Sequence, residues 1–238
     1  MTIVLDVLLI AIIVFCIWQG YKRGLVPGAL GIAVVVIAFY VGSLLAVTYS
    51  SEFTAMFKPF VSGYVETNIS DAKNEVVDEQ YSIYSVEDIL ELDPQAAENI
   101  TVATYVKMGI YEGSAEKLWG QVEAYKEKAN CSLSEAISVV MADSIAYLLI
   151  LCVAFILIVI IFTVIANVTN LAFRLPGKET LDCVAGASFG LIRGLTFAFT
   201  IAWVLGYLGI FLSWETVKKT VLLEFLMTHN PISAIFGM

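Results

Sequence analysis

The sequence predicts an all-α, polytopic membrane protein with four transmembrane helices, arranged as two hairpins, and a helical extracytoplasmic insert. Apolar residues make up 59% of the 238 residues and charged residues only 15%, whereas soluble domains hold about 45–50% and about 25%. The apolar residues are concentrated in four long runs. Most acidic residues lie between the second and third runs, where no alternating strand pattern occurs.

Each apolar run has close to the roughly 20 residues that a helix needs to cross a hydrocarbon core of about 30 Å. The four runs are approximately residues 3–19, 25–47, 145–166 and 194–212. Pro27 lies in the first turn of the second run, where a proline removes no intrahelical hydrogen bond. These runs predict the four transmembrane helices.

The segment between the second and third runs is acidic. Residues 48–142 hold six Lys and Arg against sixteen Asp and Glu, a balance of −10, while the rest of the chain holds seven against six. Such a segment argues against binding of nucleic acid and against its own docking on anionic lipid, since both need positive charge. We therefore predict a solvated domain.

Local patterns predict that this insert is helical. Asp93 followed by Pro94 is typical of an N-cap and a first helical position. Ser132 and Glu135 have the spacing of a capping box and predict a helix that continues into the third apolar run. An apolar stripe at helical spacing is formed by Leu118, Val122, Tyr125 and Ala129.

The short loops predict the orientation, since long loops contribute little to it. The first loop carries Lys22 and Arg23, and the loop before the fourth run carries Arg174, Lys178 and Arg193. Both loops are therefore expected in the cytoplasm, with both termini and residues 50–140 extracytoplasmic.

The predicted domains follow from these segments. They are a transmembrane hairpin at 1–49, the acidic helical domain at 50–140, a second hairpin at 141–212 and an amphipathic tail at 213–238. The tail carries an apolar stripe of Val217, Val221, Leu222 and Phe225. It is expected either to lie along the membrane surface or to pack on the insert.

Two sets of three glycines are spaced by four residues. They are Gly20, Gly24 and Gly28, and Gly186, Gly190 and Gly194. Small residues at this spacing lie on one helix face and allow another backbone to approach closely, which is how helices associate in lipid. We predict that both sets are packing surfaces, although the first set spans a loop.

The pattern G-x-x-R-G-L introduces both the second and the fourth run. Arg23, in the first copy, fits a topology anchor at the cytoplasmic edge. Arg193, in the second copy, has apolar neighbours on both sides. We expect the fourth helix to begin at Gly194, after a short segment over residues 184–192, so that Arg193 is interfacial. Its expected partner is a helix-end carbonyl or a carboxylate from the cytoplasmic side, and Asp182 or Glu179 reaches it only if the segment before Gly186 folds back.

No pattern predicts a catalytic residue, a cofactor or a metal site. The chain has one histidine, His229, which excludes H-E-x-x-H and a histidine-dependent triad, and its four cysteines form no C-x-x-C. Asp6 and Asp143 open the first and third runs. Two interpretations of them stay open, the capping of a helix at the outer membrane edge and the handling of a proton or cation.

The run from Asp182 to Gly194 resembles the colicin V production protein (CvpA) family. Its pattern, D-x-x-x-G-x-x-F-G-x-x-R-G, is met at every fixed position, namely Asp182, Gly186, Phe189, Gly190, Arg193 and Gly194. Asp6 at the head of the first run, and Arg23-Gly24 after Gly20, extend the resemblance over the four spans. Two features depart from the family: Pro27-Gly28 replaces a polar or acidic pair, and the link between spans two and three is unusually long.

The resemblance implies a multi-pass protein of the bacterial cytoplasmic (inner) membrane, without enzymatic activity or cofactor. Its implied role is that of an accessory or scaffold in colicin V-type toxin production and secretion, or in envelope maintenance. The expected partners are the lipid bilayer and another envelope protein bound through residues 50–140, with a homo-oligomer left open and no nucleic acid. The alternative is a small oligomeric transporter or channel subunit whose path is lined by Asp6, Asp143 and Arg193.

Overall fold

The structure is a computed structural model that describes residues 2–76, 84–86, 88–89, 93–168, 179–207 and 217–232. The helices in these residues are α1 (Thr2–Arg23), α2 (Leu25–Val76), α3 (Pro94–Lys107), α4 (Glu112–Ala129), α5 (Leu133–Val168), α6 (Glu179–Tyr207) and α7 (Leu222–Thr228). None of the described residues lies in a strand. The predicted all-α fold is therefore confirmed.

Four helices, α1, α2, α5 and α6, are long and apolar enough to cross a membrane. Helix α2 has 52 residues and α5 has 36, which correspond to about 78 Å and about 54 Å at the usual helical rise. Both exceed a hydrocarbon core of about 30 Å, so each continues well beyond its apolar run. The chain is a multi-pass membrane protein, as its sequence predicts.

Helix α6 corrects the expected start of the fourth transmembrane helix. It is continuous from Glu179 to Tyr207, and Arg193 lies in the middle of the helix. The prediction of a separate short segment over residues 184–192 is therefore wrong. Gly194 continues the helix, and its neighbours are Ile13 and Cys16 of α1. The end of this predicted span, residues 208–212, lies outside the described residues, as do Arg174 and Lys178 of the preceding loop.

The described residues group into two compact units. The first draws on Met1–Tyr49, Leu148–Trp203 and Lys219–Ile232, and the second on Ser50–Tyr147 and Val204–Lys218. In the first unit, the ring of Phe155 in α5 lies 4.7 Å from that of Phe39 in α2 and 5.9 Å, edge to face, from that of Phe197 in α6. Tilted rings at these distances attract one another. Phe155 therefore joins three of the spanning helices.

Local helix signals in the second unit are confirmed. The Asp93 carboxylate accepts hydrogen bonds from the amides of Gln95 at 3.0 Å and Ala96 at 3.3 Å, ahead of α3. Ser132 Oγ accepts from the Glu135 amide at 3.1 Å. Ser132 thus caps α5, which runs from Leu133 into the third apolar run without a break, as the sequence predicts.

The core of the second unit joins α3, α4 and α5. Tyr105 of α3 is fully buried, and its hydroxyl donates to the Ile137 carbonyl of α5 at 3.1 Å. Burial among apolar neighbours raises the pKa of Tyr105. Leu118 and Val122 of the predicted stripe are buried, whereas its last two residues are not. The stripe therefore packs only over the first part of α4.

The tail helix α7 belongs to the first unit. Its buried residues are Leu223, Leu226 and Met227, whereas Val221 and Phe225 are exposed. Asn230 Nδ2 donates to the Phe199 carbonyl of α6 at 2.9 Å. Residues 219–232 of the tail thus pack in the first unit, whereas Val217 and Lys218 belong to the second. Val221 and Phe225 form an apolar outer face, as a position along the membrane surface requires.

Candidate functional site: the Gly24 junction and the arginine groove

The two glycine sets meet where α1 and α2 pack against α6. A Cβ atom on Gly20 would collide with the Gly186 carbonyl and lie 3.0 Å from Gly190 Cα. A Cβ atom on Gly28 would lie 3.1 Å from Phe189 Cβ. Only residues without side chains allow backbones to approach this closely. Gly20 and Gly28 of the first set therefore pack at Gly186 of the second.

The same contact continues along α1 and α6. A Cβ atom on Gly190 would collide with the Cys16 carbonyl, and one on Gly194 would lie 3.0 Å from Ile13 Cα. The contacts advance along α6 as they move back along α1, so the two helices are antiparallel. Because Cys16 precedes Gly20 by four residues, the small residues of α1 extend one turn further than the glycines alone indicate.

Gly24 separates α1 from α2. Its φ is +88°, a left-handed conformation that glycine adopts without strain. The Asp182 side chain of α6 fills the space that a Cβ atom on Gly24 would need, and Asp182 Oδ1 accepts from the Leu25 amide at 2.9 Å. Leu25 is the first residue of α2. A buried carboxylate from another helix therefore satisfies one of the free amides at the α2 N-terminus.

The two G-x-x-R-G-L copies are not equivalent turns. The first ends α1 and begins α2, whereas the second lies within the continuous α6. The difference follows from the surroundings of the glycine. Gly24 faces a carboxylate that caps a new helix, while Gly194 faces the backbone of α1.

Arg193 projects from the middle of α6 towards α1 and α2. Its guanidinium carbon lies 5.3 Å from the ring centroid of Phe197, one turn further along, which is within the range of a cation–π contact. Its Nε atom is inaccessible, and no described residue accepts a hydrogen bond from that atom. The expected acidic partners are wrong, because Asp182 caps α2 and Glu179 is exposed at the far end of the helix.

Two cavities share the Arg193 side chain. The larger, which we call the arginine groove, has a volume of about 430 Å³ and is lined by α1 residues from Leu8 to Gln19 together with Arg193 and Phe197 of α6. The smaller, of about 10 Å³, has room for about one water molecule. Arg23, Gln19 and Arg193 all line the smaller cavity, so two arginines from different helices face the same space.

Asp6 and Asp143 each hold a neighbouring segment. Asp6 accepts from the amides of Val221 at 2.9 Å and Leu223 at 3.1 Å, so it caps α7 rather than its own helix. In the second unit, Asp143 accepts from Thr54 Oγ1 at 2.8 Å. Helix capping was one of the two interpretations of Asp6, and the structure supplies its partner.

The structure brings nine of the ten predicted site residues to the contact of α1, α2 and α6, all except Asp6, which lies at the tail helix. Sequence reasoning missed Cys16, Gln19 and Phe197. Gln19 had a signal, because it is an uncharged polar residue inside an apolar run, and Phe197 follows Arg193 by one helical turn. Among the described residues, no group of His, Cys, Asp and Glu forms a metal site.

The sequence profile of the colicin V production protein family matches residues 5–72 and 113–231. These segments contain the apolar parts of all four spanning helices and most of the chain. The match is wider than the resemblance over the spans, since it reaches into both ends of the predicted insert and omits residues 73–112. No curated protein and no solved structure matches the chain.

Proposed function

The chain belongs to the colicin V production protein family, and from that membership we propose a non-enzymatic accessory or scaffold role in the bacterial inner membrane. The role supports production and secretion of a colicin V-type toxin, or maintenance of the envelope. The observation that carries this proposal is the use of the family-pattern residues. Asp182 and the glycines join helices to one another, so the pattern preserves an architecture rather than a reacting group.

An accessory protein needs a surface for its partner, and α2 offers one beyond its apolar run. An apolar stripe on this part of the helix is formed by Phe53, Met56, Phe60 and Tyr64, whose exposed fractions are 44%, 54%, 79% and 50%. The spacing of three and four residues places all four on one helix face. We propose that this stripe docks another envelope protein on the extracytoplasmic side, where both termini and residues 50–140 are also proposed to lie.

The experiment uses a strain that carries the genes for a colicin V-type toxin and has had its own gene for this protein deleted. Wild-type or variant protein is then supplied from a plasmid, and the secreted toxin is measured. Phe60→Glu should abolish secretion while the protein accumulates normally, because a charge in the centre of an apolar interface is costly to desolvate. Ala55→Glu is the matched control, since Ala55 is exposed on the opposite face of the same helix. If the strain without the gene product secretes as much toxin as the wild type, the proposed role is wrong.

A flux assay separates the scaffold from the transporter alternative. Liposomes containing the purified chain should show no flux of protons, small cations or small anions above that of empty liposomes. Flux that disappears in Asp143→Asn would favour the transporter instead.

A further inference from the structure

We propose that the arginine groove binds one anionic phospholipid, with its phosphate at Arg193 and Gln19 and one acyl chain along α1. The site lies within the first unit and does not depend on the proposed toxin-related role. Three independent observations support it: an uncompensated charge, an apolar wall of matching length, and an opening towards the surrounding lipid.

Among the residues that the structure describes, no carboxylate is paired with the Arg193 guanidinium, whose nearest aromatic contact is the Phe197 ring. Arg193 Nε is inaccessible without a hydrogen-bond acceptor, and Arg23 lines the same small cavity. The ion pairs Lys58–Glu135 and Lys107–Glu75 lie in the second unit and involve neither arginine. A partly buried guanidinium inside a bilayer is stabilised by an anionic or strongly accepting partner. A phosphate supplies both charge and acceptor oxygens, and it matches the donor fork of arginine.

The apolar part of the groove has the length of one lipid leaflet. Leu8, at one end, and Gln19, at the other, are eleven residues apart on α1, about 16 Å along the helix axis. Half of a hydrocarbon core is about 15 Å. Gln19 precedes Arg23, the last residue of α1, by one turn, so the polar end of the groove lies close to the end of the helix, where a headgroup belongs.

The groove opens sideways rather than into a protein core. Leu8 and Phe15, which line it, are 50% and 56% exposed, and Ala11 between them is also exposed. In a membrane these side chains face acyl chains. A phospholipid can therefore enter from the bilayer with its chain parallel to α1 and its phosphate at Arg193 and Gln19.

The test measures lipid binding to the purified, delipidated full-length chain by native mass spectrometry. The ligands are phosphatidylglycerol, diacylglycerol with the same acyl chains, and inorganic phosphate. Phosphatidylglycerol should bind at least about tenfold more tightly than diacylglycerol, which lacks the phosphate. A hydrogen bond between charged groups strengthens binding by about tenfold or more. Arg193→Gln should weaken phosphatidylglycerol by about tenfold to a hundredfold and leave diacylglycerol unchanged.

A charge control and two further site variants complete the design. Lys22→Gln removes a charge at the same end of α1, but outside the groove, because Lys22 Nζ lies 4.0 Å from the ring centroid of Trp18. The affinity of this variant for phosphatidylglycerol should stay within about twofold of that of the wild type. Ala11→Trp fills the apolar wall without touching an arginine and should weaken both lipids by about tenfold. If Arg193→Gln fails to accumulate, Gln19→Leu and Ala11→Trp must still weaken the binding of phosphatidylglycerol, or the proposal is wrong.

Three results would overturn the lipid assignment. Equal affinity for diacylglycerol and phosphatidylglycerol would show a purely apolar groove. Inorganic phosphate that binds as tightly as phosphatidylglycerol, with the same dependence on Arg193, would show a site for a soluble anion. The third result is an oligomer that binds none of the lipids and that dissociates in Arg193→Gln. It would show that a second copy of the chain supplies the partner of Arg193.

Discussion

Asp182 Oδ1 accepts a hydrogen bond from the Leu25 amide at 2.9 Å, across 157 positions of the sequence. The carboxylate comes from α6 and the amide from the first residue of α2, with Gly24 in a left-handed conformation between α1 and α2. The same side chain occupies the space that a Cβ atom on Gly24 would fill. One buried carboxylate thus caps a helix and requires glycine at the junction.

The cap predicts a graded loss of stability. Asp182→Ala should lower the free energy of unfolding by about 1–2 kcal/mol, since an amide at the α2 start loses its acceptor. Asp182→Asn should lose less, because the side-chain oxygen remains. Thermal unfolding in detergent measures both, and Glu179→Ala, an exposed acidic residue of the same first turn, should match the wild type. Equal behaviour of Asp182→Ala and Glu179→Ala would contradict the cap.

The glycine contact predicts opposite signs for the same substitution at two helical positions. Gly190→Ala should destabilise by about 1–3 kcal/mol, because the new Cβ atom collides with the Cys16 carbonyl and α1 must move away. A Cβ atom on Gly63 would meet no neighbouring heavy atom within 4 Å. Gly63→Ala should therefore stabilise α2 by about 0.5–1 kcal/mol. Melting temperatures that rise for both variants would remove the packing role of Gly190.

The Asp6 contact predicts a local effect on the tail. Asp6→Ala should speed hydrogen exchange of the peptide covering residues 221–228 by about fivefold, the equivalent of losing one helix cap. Exchange in α5 serves as the internal reference and should not change. Asp6→Asn keeps one acceptor oxygen, so its exchange rate in residues 221–228 should lie between those of the wild type and Asp6→Ala. Unchanged exchange in Asp6→Ala would mean that the other contacts of the tail, its buried apolar residues and Asn230, hold it without the cap.

The arginines predict different tolerance to lysine. Arg193→Lys should reduce thermal stability in detergent, because lysine lacks the planar group that faces the Phe197 ring, a contact worth about 0.5–2 kcal/mol. Arg23→Lys should be mild, since a positive charge at the end of α1 is retained. Similar melting temperatures for the two variants would show that only the charge is used at both positions.

Single-cysteine variants test the proposed orientation. A membrane-impermeant maleimide applied to intact cells should label Cys131, at the start of α5, and should spare Cys183 in α6. Both cysteines are partly exposed, so accessibility within the protein does not distinguish them. Labelling of Cys183 alone would invert the topology and place residues 50–140 in the cytoplasm.

The sequence by itself determined the features that depend on neighbouring residues. The length of each apolar run predicted the spanning helices, because a helix of about 20 residues is what a bilayer requires. The Asp93 and Ser132 caps were predicted correctly, since each acts on amides two or three residues away. The four-residue glycine spacing identified packing faces for the same reason, because residues four apart share a helix face.

Only the tertiary structure decided what those faces and carboxylates contact. Asp182 and Asp6 each cap a helix that is distant in the sequence, and no local pattern contains the partner's position. The two identical G-x-x-R-G-L copies show the limit most directly. Glycine permits either a junction or a continuous helix, and the choice depends on whether a carboxylate from another helix reaches the next amide. Such a carboxylate lies beside Gly24, whereas the backbone of α1 lies beside Gly194, and their arrangement follows from the packing of α1 and α2 against α6.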